Sequence, residues 1–303
     1  MKIRLGTRGS RLAIVQSEAV AASLRTRGAE VELVVIRTSG DRLAQVALAD
    51  FGGKALFVKE IEEALLAGQV DVGVHSLKDM PSELPDTLTL GAFPLREDPC
   101  DVLLGRRDGG WDALSAGAVV GTSSPRRRAM VLTCRPDLRT EPIRGNVDTR
   151  LEKLRAGAYD ALIMAAAGLK RLGLSPPHAT PLDPAEFVPA VGQGVLAVEA
   201  RQADRELLEL LRALDDTRTR LAALAERAFL ARLGAGCHTP VAAHARVDGP
   251  MLELTGLVSS PDGATTLRAS GGGPAVDGER LGVKLAEDLL AKGAKAVLDA
   301  CRG

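Results

Sequence analysis

The sequence predicts an α/β fold, and three observations carry that reading. Short apolar runs bounded by abrupt polar turns recur along the chain, as in Val70-Asp71-Val72-Gly73-Val74 before His75-Ser76. Between them lie stretches with apolar residues at helical spacing, opened by Ser or Pro and closed by Gly. The order strand, loop, helix, strand appears near the N-terminus and again after Asp101. That order requires crossover connections and hence parallel strands.

Taken in order, Ile3–Leu5 is a short strand and Gly6-Thr7-Arg8-Gly9-Ser10 a loop. Ser10 caps a helix bearing Leu12, Val15, Ala19, Ala22 and Leu24, which ends near Gly28. Glu30 to Arg37 is the next strand. Residues 38–53 read as a mobile loop, with Ser39-Gly40-Asp41 at one end and Gly52-Gly53 at the other. Lys54 precedes a helix with the stripe Phe57, Ile61, Ala64, Leu65, stopped at Gly68. A strand from Val70 to Val74, a polar turn closed by Pro81 and a strand from Thr87 to Phe93 follow. Arg96-Glu97-Asp98-Pro99 reads as a crossing between domains.

The second α/β pattern has strands at Ala118–Gly121, Leu138–Ile143 and Asp160–Met164. Ser124 at the cap and Pro125 at the first position start one helix. Asn146 to Gly157 holds another, and Ala165 to Leu172 a third. Residues 175–190 are proline-rich and irregular, and Val195–Glu199 is a strand returning to the first domain after Gly192-Gln193-Gly194. From Thr217, read as a helix cap, the character changes. A helix with Leu221, Leu224, Ala228 and Leu233 leads to strands at Val241–Val247, Met251–Val258 and Thr265–Ala269. A last helix runs from Arg280 to Lys292. Three strands and two helices make a small α+β domain.

Composition narrows the function classes. Lys+Arg and Asp+Glu both number 39, so no global charge points to nucleic acid. Aromatic residues are only 2%, too few for the stacking platforms that single strands require. No run approaches the ~20 apolar residues of a membrane helix. The N-terminal MKIRLGTRGS is too short in apolar residues for a signal peptide. The four cysteines show no close-spaced pair, which fits a reduced cytoplasmic protein. Cys237, His238 and His244 form the nearest approach to a metal cluster, without metal-ligand spacing, and no metal is expected.

The candidate chemistry sits at strand exits, where open α/β sheets bind ligands. Lys78 beside Asp79 can hold an anion and steer a proton; the alternative is a polar surface turn with a capping aspartate. Arg8 and Arg11 stand beside a helix start, where the dipole disfavours cations unless an anion intervenes; otherwise they mark a solvated loop. Arg126-Arg127-Arg128 in a first helical turn, with Ser123 and Ser124, suit a carboxylate or phosphate, or else form a basic helix face. Arg144 repeats that pattern. Cys134 and Cys301 read as core fillers, whereas Cys237 lies in a glycine-flanked loop beside His238, where thiolate character is favoured.

The ordered motifs Gly6-Thr7-Arg8, Gly53-Lys54 before Leu56-Phe57, His75-Ser76-Leu77-Lys78-Asp79 and Gly121-Thr122-Ser123-Ser124 before Arg126-Arg127 lead to a specific resemblance. With Arg144-Gly145-Asn146, Pro189-Ala190-Val191-Gly192-Gln193-Gly194 and Gly236-Cys237, the chain resembles the porphobilinogen deaminases over essentially its whole length. The resemblance implies a transferase joining four porphobilinogen units head to tail with loss of ammonia, giving hydroxymethylbilane in tetrapyrrole biosynthesis. It implies a dipyrromethane cofactor held by a thioether to Cys237. It also implies two periplasmic-binding-protein-like α/β domains around a cleft and a smaller α+β domain. The boundaries are 1–95 with 191–214, 96–190, and 215–303. By the same resemblance Asp79 is catalytic. Cys237, Lys78, Ser124, Arg126, Arg127, Arg144 and Gly145 bind the cofactor, and Arg8, Ser10, Gln16, Lys54 and Arg150 the substrate. A cytoplasmic monomer is expected, with no nucleic-acid or membrane partner. The chain departs from the family pattern at Asp50, where relatives often have lysine, and at Arg128, where many are uncharged. Two rival readings are a non-catalytic two-lobed polyanion-binding protein and a cysteine hydrolase pairing Cys237 with His238 or His244. The latter lacks an orienting third group.

Overall fold

The computed structural model describes residues 1–36, 58–236 and 239–301. The chain forms two compact units, one from residues 1–97 with 194–220, the other from 98–193 with 221–303.

The first unit is built on β1 (Lys2–Arg8), α1 (Arg11–Arg25) and β2 (Glu30–Ile36). Then come α2 (Lys59–Leu66), β3 (Val72–Ser76), a 3-10 turn (Leu77–Asp79), β4 (Leu88–Ala92) and the returning strand β10 (Leu196–Arg201). Its sheet has the order β2-β1-β3-β10-β4. β1 is parallel to β2 and β3, and β10 is antiparallel to both β3 and β4. Ser10 starts α1 as expected: its Oγ accepts from the N–H of Ala13 at 3.3 Å. The helix buries Val20, Ala21 and Leu24 against Ile3, Leu5, Val31, Val72 and Val198. On the other strands α2 packs Ile61 and Leu65 with Val70 and Leu88.

The second unit repeats this sheet. It contains β5 (Asp101–Gly105), β6 (Val119–Gly121), α3 (Pro125–Cys134), β7 (Arg139–Glu141) and α4 (Val147–Arg155). β8 (Ala161–Ala165), α5 (Ala166–Arg171) and β9 (Ala179–Pro181) complete it. The order is β7-β6-β8-β5-β9, with β6 parallel to β7 and β8, and β5 antiparallel to β8 and β9. Order and strand senses therefore match between the sheets, with one reversed strand in the fourth place of each. In the first sheet that strand arrives late in the chain; in the second it comes first.

After β10 the chain forms α6 (Arg205–Arg212) and α7 (Thr217–Arg232). β11 (Val241–Asp248), β12 (Met251–Ser259) and β13 (Thr266–Pro274) make an antiparallel meander, covered by α8 (Gly278–Ala291) and α9 (Ala294–Ala300). Phe229, Leu252, Leu254, Leu285 and Leu289 fill its core. Ala242 and Leu257 of the meander pack into the same cluster as Val120, Met130 and Phe187, so the two sheets of this unit share apolar surface.

The α/β class holds, and several details are corrected. β5 was not expected: its first residue is an aspartate, which masked the run Val102-Leu103-Leu104. The proline-rich 175–190 segment contains β9, whose backbone pairs with β5. α6 and α9 are additional helices. Thr217 is the first residue of α7 rather than its cap; Oδ1 of Asp216 accepts from the N–H of Thr219 at 2.8 Å. Cys134 is exposed and Cys301 half-buried, so neither fills a core. The 38–53 loop, Asp50, Lys54, Phe57, Cys237 and His238 lie outside the described residues. Among the described residues, no helix is long and apolar enough to cross a membrane.

Candidate active site

In the first unit the parallel strands β1, β2 and β3 leave the sheet at one edge. Arg8 ends β1, Ser10 caps α1, and β3 runs straight into the Leu77–Asp79 turn. Leu77 and Met80 are buried, at 2% exposure each, and pin the turn from below. The Leu77 N–H donates to the Val195 carbonyl and the Met80 N–H to that of Leu77, at 3.0 and 3.1 Å. Lys78 and Asp79 between them remain half-buried. An ammonium and a carboxylate are thus presented together on a rigid turn. Gln16, expected to meet substrate, donates from Nε2 to Ser76 Oγ at 3.0 Å and steadies the end of β3. Ser10 Oγ serves as acceptor in the helix cap.

Beneath this edge lies an ionisable cluster that the sequence reading missed. His75 and Glu199 are buried, and Nε2 lies 3.0 Å from Oε2. Burial first, then the charge of Glu199, push the Glu62 carboxyl up to about 6, while His75 pulls it back. The folded protein therefore keeps this proton where the unfolded chain has released it. The associated stability is complete below the ordinary value of 4.5 and is lost as pH rises through about 6. Glu62→Gln removes that loss. Thermal melting should show the variant more stable than wild type above pH 6, by at most about 1 kcal/mol after solvent screening, and equal to it in acid. The signal for this cluster was present: Glu199 stands inside an apolar strand, and a buried acid requires a partner.

The second unit places its candidates at the corresponding edge. Ser124 caps α3, its Oγ accepting from the Arg127 N–H at 3.4 Å. Ser123 ties the two loops: its hydroxyl donates to the Ile143 carbonyl at 2.7 Å and accepts from the Ile143 N–H at 3.0 Å. Gly145 adopts φ +110°, a left-handed conformation that a side chain would strain, with Thr149 2.7 Å from where its Cβ would stand. The Asn146 side chain then caps α4, accepting from the Thr149 N–H at 2.9 Å.

Arg126 and Arg127 are far more buried than an open basic face requires, at 4% and 8% exposure. Both bind Asp101, which is fully buried: Arg126 Nη2 at 2.7 Å from Oδ2, Arg127 Nη2 at 2.7 Å from Oδ1. Arg126 Nη1 also donates to the Val188 carbonyl, and Arg127 Nη1 to that of Ile163. Gln193 Nε2 completes the cluster with bonds to Asp101 and the Pro99 carbonyl. Burial disfavours the Asp101 carboxylate, but the two guanidiniums outweigh it and hold its carboxyl below the ordinary range.

Two cations on one carboxylate leave an excess positive charge. Arg150 adds to it: Nε donates to the Gly145 carbonyl at 2.9 Å. Burial, then the charge of Arg127, lower its pKa. Arg126 Nε is buried with no acceptor among the described residues. A cation-rich place fits a group bearing several carboxylates. Arg144 is half-buried at the same loop, and Arg128 faces solvent. His244 Nδ1 lies 3.7 Å from Glu226 Oε1. Among the described residues, no His, Cys, Asp and Glu group converges to hold a metal.

Comparison with known proteins bears on both halves. Residues 3–209 match the family model described as porphobilinogen deaminase, dipyromethane cofactor binding domain, and residues 220–291 that of the porphobilinogen deaminase C-terminal domain. The chain is 48% identical over 300 residues to a porphobilinogen deaminase of Maridesulfovibrio salexigens, covering 98% of this chain and 97% of that protein. It is 47% identical over 299 residues to that of Syntrophobacter fumaroxidans, covering 98% and 97%. Among solved structures, the methionine binding protein MetQ aligns with a TM-score of 0.45 at 14% identity, over 72% of this chain and 92% of that one.

Proposed function

Because the chain belongs to the porphobilinogen deaminase family, we propose that Asp79 and Lys78 form its catalytic turn and that the cationic edge around Arg126, Arg127, Arg144 and Arg150 holds the carboxylates of a growing pyrrole chain. The enzyme condenses four porphobilinogen molecules into hydroxymethylbilane with loss of ammonia, and the family's dipyrromethane cofactor supplies the primer end. Cys237 is the anchoring thiol in this reading, with Lys78, Ser124 and Gly145 beside the arginines as cofactor contacts. Arg8, Ser10, Gln16, Lys54 and Arg150 receive substrate.

The observation that carries the reading is the Leu77–Asp79 turn, a cation and a carboxylate on rigid backbone at a strand exit, within a family match spanning nearly the whole chain. Porphobilinogen carries acetate and propionate arms and an aminomethyl group. When the C–N bond of its protonated aminomethyl group breaks, the electron pair leaves with nitrogen as ammonia and an electron-poor azafulvenium cation remains. A fixed carboxylate stabilises that cation without reorganising. Carbon–carbon bond formation then releases a proton from the attacked pyrrole carbon, which the Asp79 carboxylate can accept and pass to the aminomethyl group of the next substrate, so that it too leaves as ammonia. Lys78 and the arginines orient the carboxylate arms, arginine by bidentate pairing.

The reading includes three working domains, 1–95 with 191–214, 96–190 and 215–303, the last two sharing the apolar surface of the second unit. It also includes a cytoplasmic monomer without a nucleic-acid partner, in keeping with the balance of 39 basic and 39 acidic residues. Incubation of the full-length protein with porphobilinogen tests the function. Consumption with release of one ammonia per unit is expected; binding without consumption would return the chain to a polyanion-binding role.

A further inference from the structure

Glu199 lies in the middle of β10, fully excluded from solvent, with Oε2 3.0 Å from Nε2 of His75. The sheet sets this pair. β3 and β10 are antiparallel with Glu199 opposite Gly73 and Ala197 opposite His75, so the imidazole reaches Glu199 along the ladder diagonal. Its path passes over Gly73, where a Cβ would stand 2.9 Å from His75 Nε2 and 2.7 Å from Ile61 Cγ2. A side chain at 73 would therefore collide with the imidazole that reaches Glu199.

A buried carboxylate needs compensation in proportion to its burial. Oε2 has the imidazole, but Oε1 has no hydrogen-bond partner among the described residues. Glu62 reaches the same place from α2, and its Oε1 is likewise buried and unpartnered there. A second acid beside Glu199 raises the cost of negative charge in this buried place, and burial and the charge of Glu199 push the Glu62 carboxyl up to about 6. The groups acting on Glu62 are Glu199 of β10, His75 of β3 and, more weakly, the exposed Glu63 of its own helix.

The cluster adjoins the proposed catalytic turn. Ser76 and Leu77 separate His75 from Lys78, and β10 holds this segment twice, through the Val195 carbonyl on the Leu77 N–H and through Glu199 on His75. Neither contact involves a group that the reaction consumes. We propose that Glu199 is a positioning residue that acts through His75 to hold the Lys78–Asp79 turn in its working orientation, with Glu62 setting the charge beside the pair. The inference rests on the reading of Asp79 as catalytic.

The test uses full-length protein with its cofactor assembled, comparing wild type with Glu199→Gln, His75→Gln and the double variant. Glu199→Gln should lower kcat for porphobilinogen about tenfold, the loss of one charge-assisted hydrogen bond, with KM changed less than about twofold. The double variant should be no slower than the slower single variant. Wild-type kcat in a folded, loaded Glu199→Gln protein, or losses that multiply in the double variant, would overturn the proposal. Should Glu199→Gln fail to fold, Glu62→Gln decides. It should remove a change in kcat centred near pH 6, and an unaltered pH profile contradicts the charge-setting role. Amide exchange at Leu77 to Met80 reads positioning without substrate. It should quicken in His75→Gln relative to wild type, and unchanged exchange there counts against the proposal. A wild-type protein inert toward porphobilinogen would remove the proposed function while exchange still decided the positioning.

Discussion

An Asp79→Ala protein is expected to fold, to melt like wild type and to lose porphobilinogen turnover by on the order of 10²–10³. The side chain is half-buried at the tip of a turn whose hold on the sheet comes from Leu77 and Met80, both 2% exposed, and from backbone hydrogen bonds. Removing the carboxylate leaves those contacts in place. In the proposed mechanism, what disappears is a fixed negative charge where cationic character develops and a base where a proton departs. Because the loss falls on the transition state rather than on carboxylate binding, it should appear in kcat more than in KM. Steady-state kinetics beside a thermal melt separates the two. Near-normal turnover by a folded variant would remove Asp79 from the mechanism.

The second large effect is on stability. Asp101→Asn preserves shape and deletes the one carboxylate shared by Arg126 and Arg127, both nearly solvent-free. Breaking a buried ion cluster by removing one partner leaves charge uncompensated and costs about 3–5 kcal/mol. At about 2–4 °C per kcal/mol, the melting temperature should fall by roughly 10 °C. Its pH dependence has a definite sign. Burial opposes ionisation of Asp101 and the guanidiniums overcome it, so the folded pKa is depressed. The stability is present above the ordinary aspartate range and is lost as pH falls through the folded value. Wild type and variant should therefore converge in strong acid and differ most near neutrality. A melting temperature unchanged at neutral pH would mean that the arginines draw their compensation elsewhere.

What was legible beforehand follows from how local each signal is. Ser10 and Ser124 with Pro125 are local helix starts, and both caps form where the residues place them. The return of the chain after Gly194 as a strand was legible for the same reason, since an apolar run follows a glycine turn. β5 escaped because its opening Asp101 looks like loop chemistry until two arginines, 25 and 26 residues later, neutralise it. Arg126 and Arg127 show the converse. Their charge at a helix start suggested open anion contacts, yet only the fold reveals that Asp101 already occupies much of their donor capacity. His75 belonged to a recognised motif, but its partner Glu199 lies 124 residues away, beyond any local pattern. Asp216 and Thr217 are both good caps, and the choice between them was decided by which hydroxyl or carboxylate meets the Thr219 N–H.

Catalysis on a primer covalently held by Cys237 is read out by the intact mass of the purified protein. The expected mass exceeds that of the polypeptide by two linked pyrrole units and grows by whole pyrrole units on exposure to porphobilinogen, with the excess absent from Cys237→Ala. A bare polypeptide mass that porphobilinogen does not change, or an excess retained in Cys237→Ala, would contradict it.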